Sequence, residues 1–173
     1  MAKSQATAVE RALESLEERW ANVAPQNLPY HILLLAKLLD RITAQHVRET
    51  ADLSLAEWRT MAHLDYLGTC SASEVANLAF VDRAEVSRSI HALEARGLVR
   101  REPHPSKRNS RHVSLTDAGK KIHVAIRGER GKFFNDWVAD LNDEDQKQLD
   151  SGLRQIIRRI VTIAPHIVEG VGG

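Results

Sequence analysis

At 100° per residue, a helix running from Arg83 to Arg96 puts Val86, Ile90 and Leu93 on one side. Ala84, Ser87, Arg88, His91 and Ala95 fall on or near the other, with Arg83 opening the helix. That second face is small and cationic. An arginine can donate two hydrogen bonds to a guanine edge, a serine can pair with several edges, and an alanine methyl can meet a thymine methyl. The face therefore suits the major groove of duplex DNA, which admits a helix of this kind. Glu94 lies near its boundary, towards the C-terminal end, where a carboxylate is unwelcome beside phosphate.

A second cationic group follows. Lys107, Arg108 and Arg111 sit in and just after the polar, proline-rich segment Pro103 to Ser110, no acid interrupts them, and His104 and His112 can add partial charge. From Arg83 to Lys132 there are thirteen Lys and Arg against five Asp and Glu, although the whole chain carries a net charge of only +1. The middle third is a basic block in an otherwise acidic chain, which points to a polyanionic partner, here double-stranded DNA.

Other chemistries find little in the residues. No Gly-rich phosphate loop, nucleophile elbow or metal triad is present, so no enzyme and no cofactor is expected. The eight histidines show neither a His-x-x-x-His pair nor Cys/His ligand spacing, so no metal site is expected. Cys70 is the single cysteine, which rules out an internal disulfide and agrees with a reducing compartment. The longest uninterrupted apolar stretch, Ile32 to Ala36, is far short of the roughly 20 residues that cross a bilayer. Met1-Ala2-Lys3-Ser4 leads into a charged helical pattern without an apolar secretory core, so the expected location is the cytoplasm.

The elements that must position the cationic face are legible from periodicity and caps. Val9, Leu13, Leu16, Trp20 and Val23 predict an amphipathic helix from about Ala8 to Asn22. Leu28 to about Thr50 is apolar almost all round at first, as in a helix covered on several sides. Ser54 with Glu57 forms a capping box opening a helix to about Leu67, with Trp58, Met61 and Leu64 inward. Ser71 with Glu74, then Asp82 with Glu85, repeat the device, giving two short capped helices across a tight connection. Gly97 closes the second. Leu98 to Glu102 and Arg111 to Leu115 read as a β-hairpin with a long basic tip, and helices at about 117–141 and 144–168 complete the chain. The last carries Leu149, Leu153, Ile156, Ile160, Ile163 and Ile167 as a heptad-like seam. The expected fold is thus mainly α with a small β-hairpin wing: a winged helix-turn-helix lobe at 53–116, flanked by dimerising helical regions at 1–52 and 117–173.

In these residues the chain resembles the MarR (multiple antibiotic resistance regulator) family of bacterial winged helix-turn-helix transcription regulators. The likeness rests on Leu53-Ser54-Leu55-Ala56-Glu57-Trp58, on Val86-Ser87-Arg88, on Leu93 through Arg101, and on Ser114-Leu115-Thr116-Asp117-Ala118-Gly119. It implies a two-fold homodimer that sets two lobes in successive major grooves of a pseudo-palindrome, with repression the expected sign. The family's wing carries an Asp-x-Arg pattern, and the aligned positions here hold Lys107 and Asn109, so Arg108 or Arg111 must stand in for the usual arginine. DNA contacts are expected from Arg83, Ala84, Ser87, Arg88, His91, Lys107, Arg108 and Arg111.

The resemblance also implies release by a small molecule, commonly an aromatic or phenolic acid, held between the dimer helices and the lobe. Tyr30, His31, Arg41, Trp58 and His63 are the candidates for that site, each equally at home as a satisfied core or surface residue. A protein-binding winged helix would show exposed apolar anchors where Arg83, Arg88, Lys107, Arg108 and Arg111 stand. Redox response through Cys70, or zinc response through scattered histidines and glutamates, stays open as an alternative within the same fold.

Overall fold

The computed structural model describes residues 2–22, 27–79, 81–103 and 111–168. The chain falls into two compact units, residues 1–45 and 46–173.

In the first unit, α1 (Ala2–Asn22) precedes α2 (Leu28–Ala51), whose last turns belong to the second unit. α1 begins earlier than its apolar periodicity indicates, because Ala2, Lys3, Gln5 and Ala6 are strong helix formers that need no buried face. Asn27 opens α2 by accepting the Tyr30 amide. His31 is buried and stacks on Trp20 with centroids 3.5 Å apart, and Tyr30 meets the same imidazole edge-on. The sequence predicts α2 covered on several sides, yet Leu33, Leu35 and Leu38 are 61%, 50% and 41% exposed. Periodicity reports that a face wants cover, and it does not say whether the same chain supplies it.

The second unit holds α3 (Leu55–Leu67), α4 (Ala72–Ala79), α5 (Arg83–Ala95), β1 (Val99–Pro103), β2 (Arg111–Leu115), α6 (Asp117–Trp137) and α7 (Asp143–Ile163). Its core gathers Val47, Leu53, Trp58, Met61, Leu64, Val75, Val86, Ile90, Leu93, Leu98, Val113, Leu115 and Ile126. Burying so many branched and aromatic side chains, each contributing about 1.5–3 kcal/mol, is what holds α3, α4 and α5 to the hairpin.

Two of the three expected capping boxes form in full, and at Asp82 only the cap half forms. The Ser54 hydroxyl accepts the Glu57 amide at 3.1 Å while the Glu57 carboxylate accepts the Ser54 amide at 2.7 Å. Ser71 and Glu74 do the same at 3.3 and 2.6 Å. Asp82 opens α5 by accepting the amides of Ala84 and Glu85. Gly97, at φ 68°, closes it in the left-handed region.

The hairpin pairs Val99 with Leu115 through to Pro103 with Arg111, antiparallel, and Cys70 adds a bridge to Val113 on the free edge of β2. At its base Thr116 caps α6, and its hydroxyl donates to Gly97 O at 2.7 Å. Gly119 lies against the Leu98 carbonyl so closely that a methyl there would overlap the oxygen.

The two C-terminal helices end earlier than expected. α6 stops at Trp137 rather than Leu141, where Val138 leaves helical geometry and the chain turns to place Asn142 as the cap of α7. α7 stops at Ile163 rather than Val168, because Pro165 disfavours the helical conformation at Ala164, and a 3-10 turn follows at Pro165–Val168. Ile167 therefore leaves the heptad seam.

Candidate nucleic-acid interface

α5 is amphipathic in the sense its sequence requires. Val86, Ser89, Ile90 and Leu93 are buried, whereas Arg83, Ala84, Ser87, Arg88 and His91 are all exposed along one arc. α4 fastens beneath it through Val75 and Ala76, both buried. The arc combines two arginines, a hydroxyl, an imidazole and a methyl on a helix held from behind, so its donors are presented by a rigid support.

Much of the basic block is engaged within the chain. Arg101 Nε lies 3.2 Å from Glu94 Oε2, and Arg100 Nε lies 3.1 Å from Glu102 Oε1 and 3.2 Å from the Ser114 hydroxyl. Arg96 donates to the carbonyls of Ala51 and Asp52. Arg83, Arg88 and Arg111 are exposed and enter no ion pair among the described residues. The boundary acid Glu94 is thus already neutralised by a strand residue. Arg111 begins β2 opposite Pro103, at the tip end of the hairpin. Lys107 and Arg108 lie outside the described residues.

The five expected effector residues are divided between the two units. Tyr30, His31 and Arg41 belong to the first unit, where Arg41 is exposed and His31 is engaged by Trp20. Trp58 and His63 belong to the second and lie on different sides of α3. His63 borders a gap of about 10 Å³ beside Val75, Val86 and Ser89, room for about one water and far too small for an aromatic acid. Burial, with Arg59 nearby, lowers its pKa.

Trp58 instead borders an open cleft of about 470 Å³ between α3 and α6, with Asp65, His123, Arg127, Arg130 and Phe134. The Arg130 guanidinium lies over both Trp58 and Phe134, 5.2 and 4.6 Å from the ring centroids. His123, only 3% exposed, stacks on Trp58 at 5.0 Å. Asp65 Oδ2 is 3.4 Å from His123 Nδ1 and 3.5 Å from Arg127 Nη1. Burial lowers the His123 pKa, Asp65 opposes that and Arg127 adds to it. The sequence reading missed these partners of Trp58. Their signal is present, since His123, Arg127, Arg130 and Phe134 recur at spacings of four, three and four, one face of a helix.

Cys70 is 4% exposed and tied by two backbone hydrogen bonds to Val113. Burial, reinforced by Glu74, pushes its thiol up to about 11, so at neutral pH it is a protonated packing group and not the thiolate an oxidant would attack. Among the described residues no three His, Cys, Asp or Glu side chains are grouped to hold a metal ion, and no helix is long and apolar enough to cross a membrane.

Two short capped helices, a two-stranded wing and an exposed cationic second helix define a winged helix-turn-helix protein. The family model described as MarR family matches residues 51–108. A curated relative, the HTH-type transcriptional regulator YwoH of Bacillus subtilis (strain 168), is 26% identical over 134 residues, spanning 78% of this chain and 96% of its own. Among solved structures, a MarR/EmrR family regulator from Acinetobacter sp. ADP1 superposes with a TM-score of 0.71 at 17% identity, over 80% of this chain and 97% of its own. A mutant MarR from E. coli, complexed with operator DNA, gives 0.69 at 19%, over 79% and 96%. Over residues 51–108 the chain is thus similar to the MarR family, and the curated relative that spans most of its length is an HTH-type transcriptional regulator.

Proposed function

We propose that this chain is a DNA-binding repressor that grips a pseudo-palindromic operator as a homodimer and lets go when a small aromatic or phenolic acid binds. The observation that carries the reading is the exposed arc of Arg83, Ala84, Ser87, Arg88 and His91 on a helix whose opposite side is buried. Those five side chains are the proposed base-reading set, with Arg88 the leading candidate for a guanine. Lys107, Arg108 and Arg111 are assigned to phosphate, since a wing without an acid to orient its arginine contributes charge more than sequence preference.

Dimerisation is supported by α7, which has no buried residue of its own while Leu149, Leu153, Ile160 and Ile163 are 52%, 38%, 43% and 65% exposed along one seam. An apolar stripe of that length is costly in water and is relieved by a second copy. The proposed division is dimerisation by residues 1–52 and 117–173 and DNA reading by 53–116. For the effector, the Trp58 cleft offers aromatic walls and the Arg127 and Arg130 cations, a fit for a planar carboxylate.

The test is fluorescence anisotropy with duplexes from the gene's upstream region, at several salt concentrations, beside sedimentation of the free chain. Expected are a dimer, a preferred duplex, and a log–log salt slope near −0.9 for each phosphate contacted. A stable monomer, or binding with neither salt dependence nor sequence preference, would refute the reading.

A further inference from the structure

We infer that Arg96 is a positioning residue: by fastening the C-terminus of α5 to the C-terminus of α2 it fixes the tilt at which α5 meets DNA, without itself touching base or phosphate. This rests on the DNA-binding reading above.

Arg96 is the C-cap of α5. Its Nη1 donates to Asp52 O at 2.7 Å and its Nη2 to Ala51 O at 3.0 Å, across 44 and 45 residues of sequence. Ala51 is the last residue of α2, and Asp52 follows it at φ 52°, in the left-handed region that ends helices. The final carbonyls of a helix have no partner within it and carry its partial negative charge. Arg96 therefore caps α5 with its backbone N–H and holds the end of α2 with its guanidinium. Only a planar fork can span two adjacent carbonyls in this way, and a lysine ammonium is a single point of charge.

The tie acts on a direction that the core leaves soft. Val86, Ile90 and Leu93 set how deeply α5 is seated, but apolar contacts are non-directional and resist tilting weakly. From Arg83 to Arg96 is about 20 Å along the helix axis at 1.5 Å per residue. A small tilt pivoting near Val86 therefore displaces the two ends in opposite senses. Hydrogen bonds to base edges need close distances and angles, whereas long flexible side chains follow a phosphate through such a shift. Losing the tie should thus cost base discrimination and leave phosphate engagement alone. Arg96 is exposed, so replacing it opens no cavity and the variants should fold.

The experiment uses the full chain, with Arg96→Lys and Arg96→Ala beside wild type. Two probes are bound across a salt series: a duplex enriched by the wild-type chain from a random pool, and a scrambled duplex of equal length. Thermal melting is recorded for each protein. In both variants the ratio of the two affinities should fall about fivefold to tenfold, the scale of one ordinary hydrogen bond, with salt slope and melting temperature near wild type. A ratio held at the wild-type value overturns the inference. So does a slope shallower by about 0.9, which would make Arg96 a phosphate contact. Equal weakening on both duplexes with a lowered melting temperature would make it a structural residue only. A wild-type chain that enriches no sequence defeats the DNA reading itself, and that result is in hand before any variant is compared.

Discussion

Arg101 Nε on β1 stands 3.2 Å from Glu94 Oε2 on α5, and the two side chains are 27% and 39% exposed. The pair joins the hairpin to the outward helix and cancels the acid at the edge of the cationic arc. At this exposure its contribution to stability is small, about 0–1 kcal/mol. Its larger effect is on the field that an approaching polyanion meets.

Arg101→Ala should therefore weaken duplex binding by about tenfold at low salt, since it removes one cation and uncovers one carboxylate. The double variant Arg101→Ala with Glu94→Gln should recover most of that loss. Anisotropy titrations at 50 and 200 mM salt decide it: a double variant as weak as the single one means that Arg101 acts by direct phosphate contact and not by masking Glu94.

Gly119 and Gly128 lie on the same helix, α6, and should respond oppositely to alanine. At Gly119 the new methyl overlaps the Leu98 carbonyl oxygen, whereas at Gly128 it meets nothing within 4 Å. Gly119→Ala should destabilise by about 1–3 kcal/mol, the usual cost of overpacking. Gly128→Ala should stabilise by about 0.5–1 kcal/mol through helix propensity. Urea melts of the two variants measure both, and equal midpoints would refute the close approach at the base of the wing.

His123 makes the fold acid-sensitive. Its native pKa is held below the ordinary value of about 6.5 chiefly by burial, so the unfolded chain binds the proton more readily. Stability from this group is complete above pH 6.5 and is lost as pH falls from there through the lowered native pKa. The half-buried His63 is shifted in the same direction and adds to the slope. Chemical denaturation between pH 7.5 and 5 should show stability falling with acid. His123→Gln should flatten that fall, and a variant as steep as wild type would count against the assignment.

The sequence alone determined what is decided between near neighbours. The boxes at Ser54 with Glu57 and at Ser71 with Glu74 formed as read, because a cap needs only residues three apart and an available amide. The sidedness of α5 was equally legible, since a 100° step is fixed by backbone geometry. Pro165 also signalled the end of α7 locally, and the seam at Ile160 and Ile163 masked it.

Tertiary structure decided which cations remain available. Arg96 and Arg101 look in the sequence like any other members of the basic block, yet packing sets one against α2 and the other against Glu94. For the cleft of Trp58, Asp65, His123 and Arg130 the sequence carries one wall, the shared face of α6, but not its pairing with α3, because the two helices lie some 60 residues apart and Arg127 reaches Asp65 across 62 residues. Such pairings follow from how apolar faces seat against each other, and burial is non-directional: it marks which side of a helix turns inward without naming the charged groups that meet at its rim.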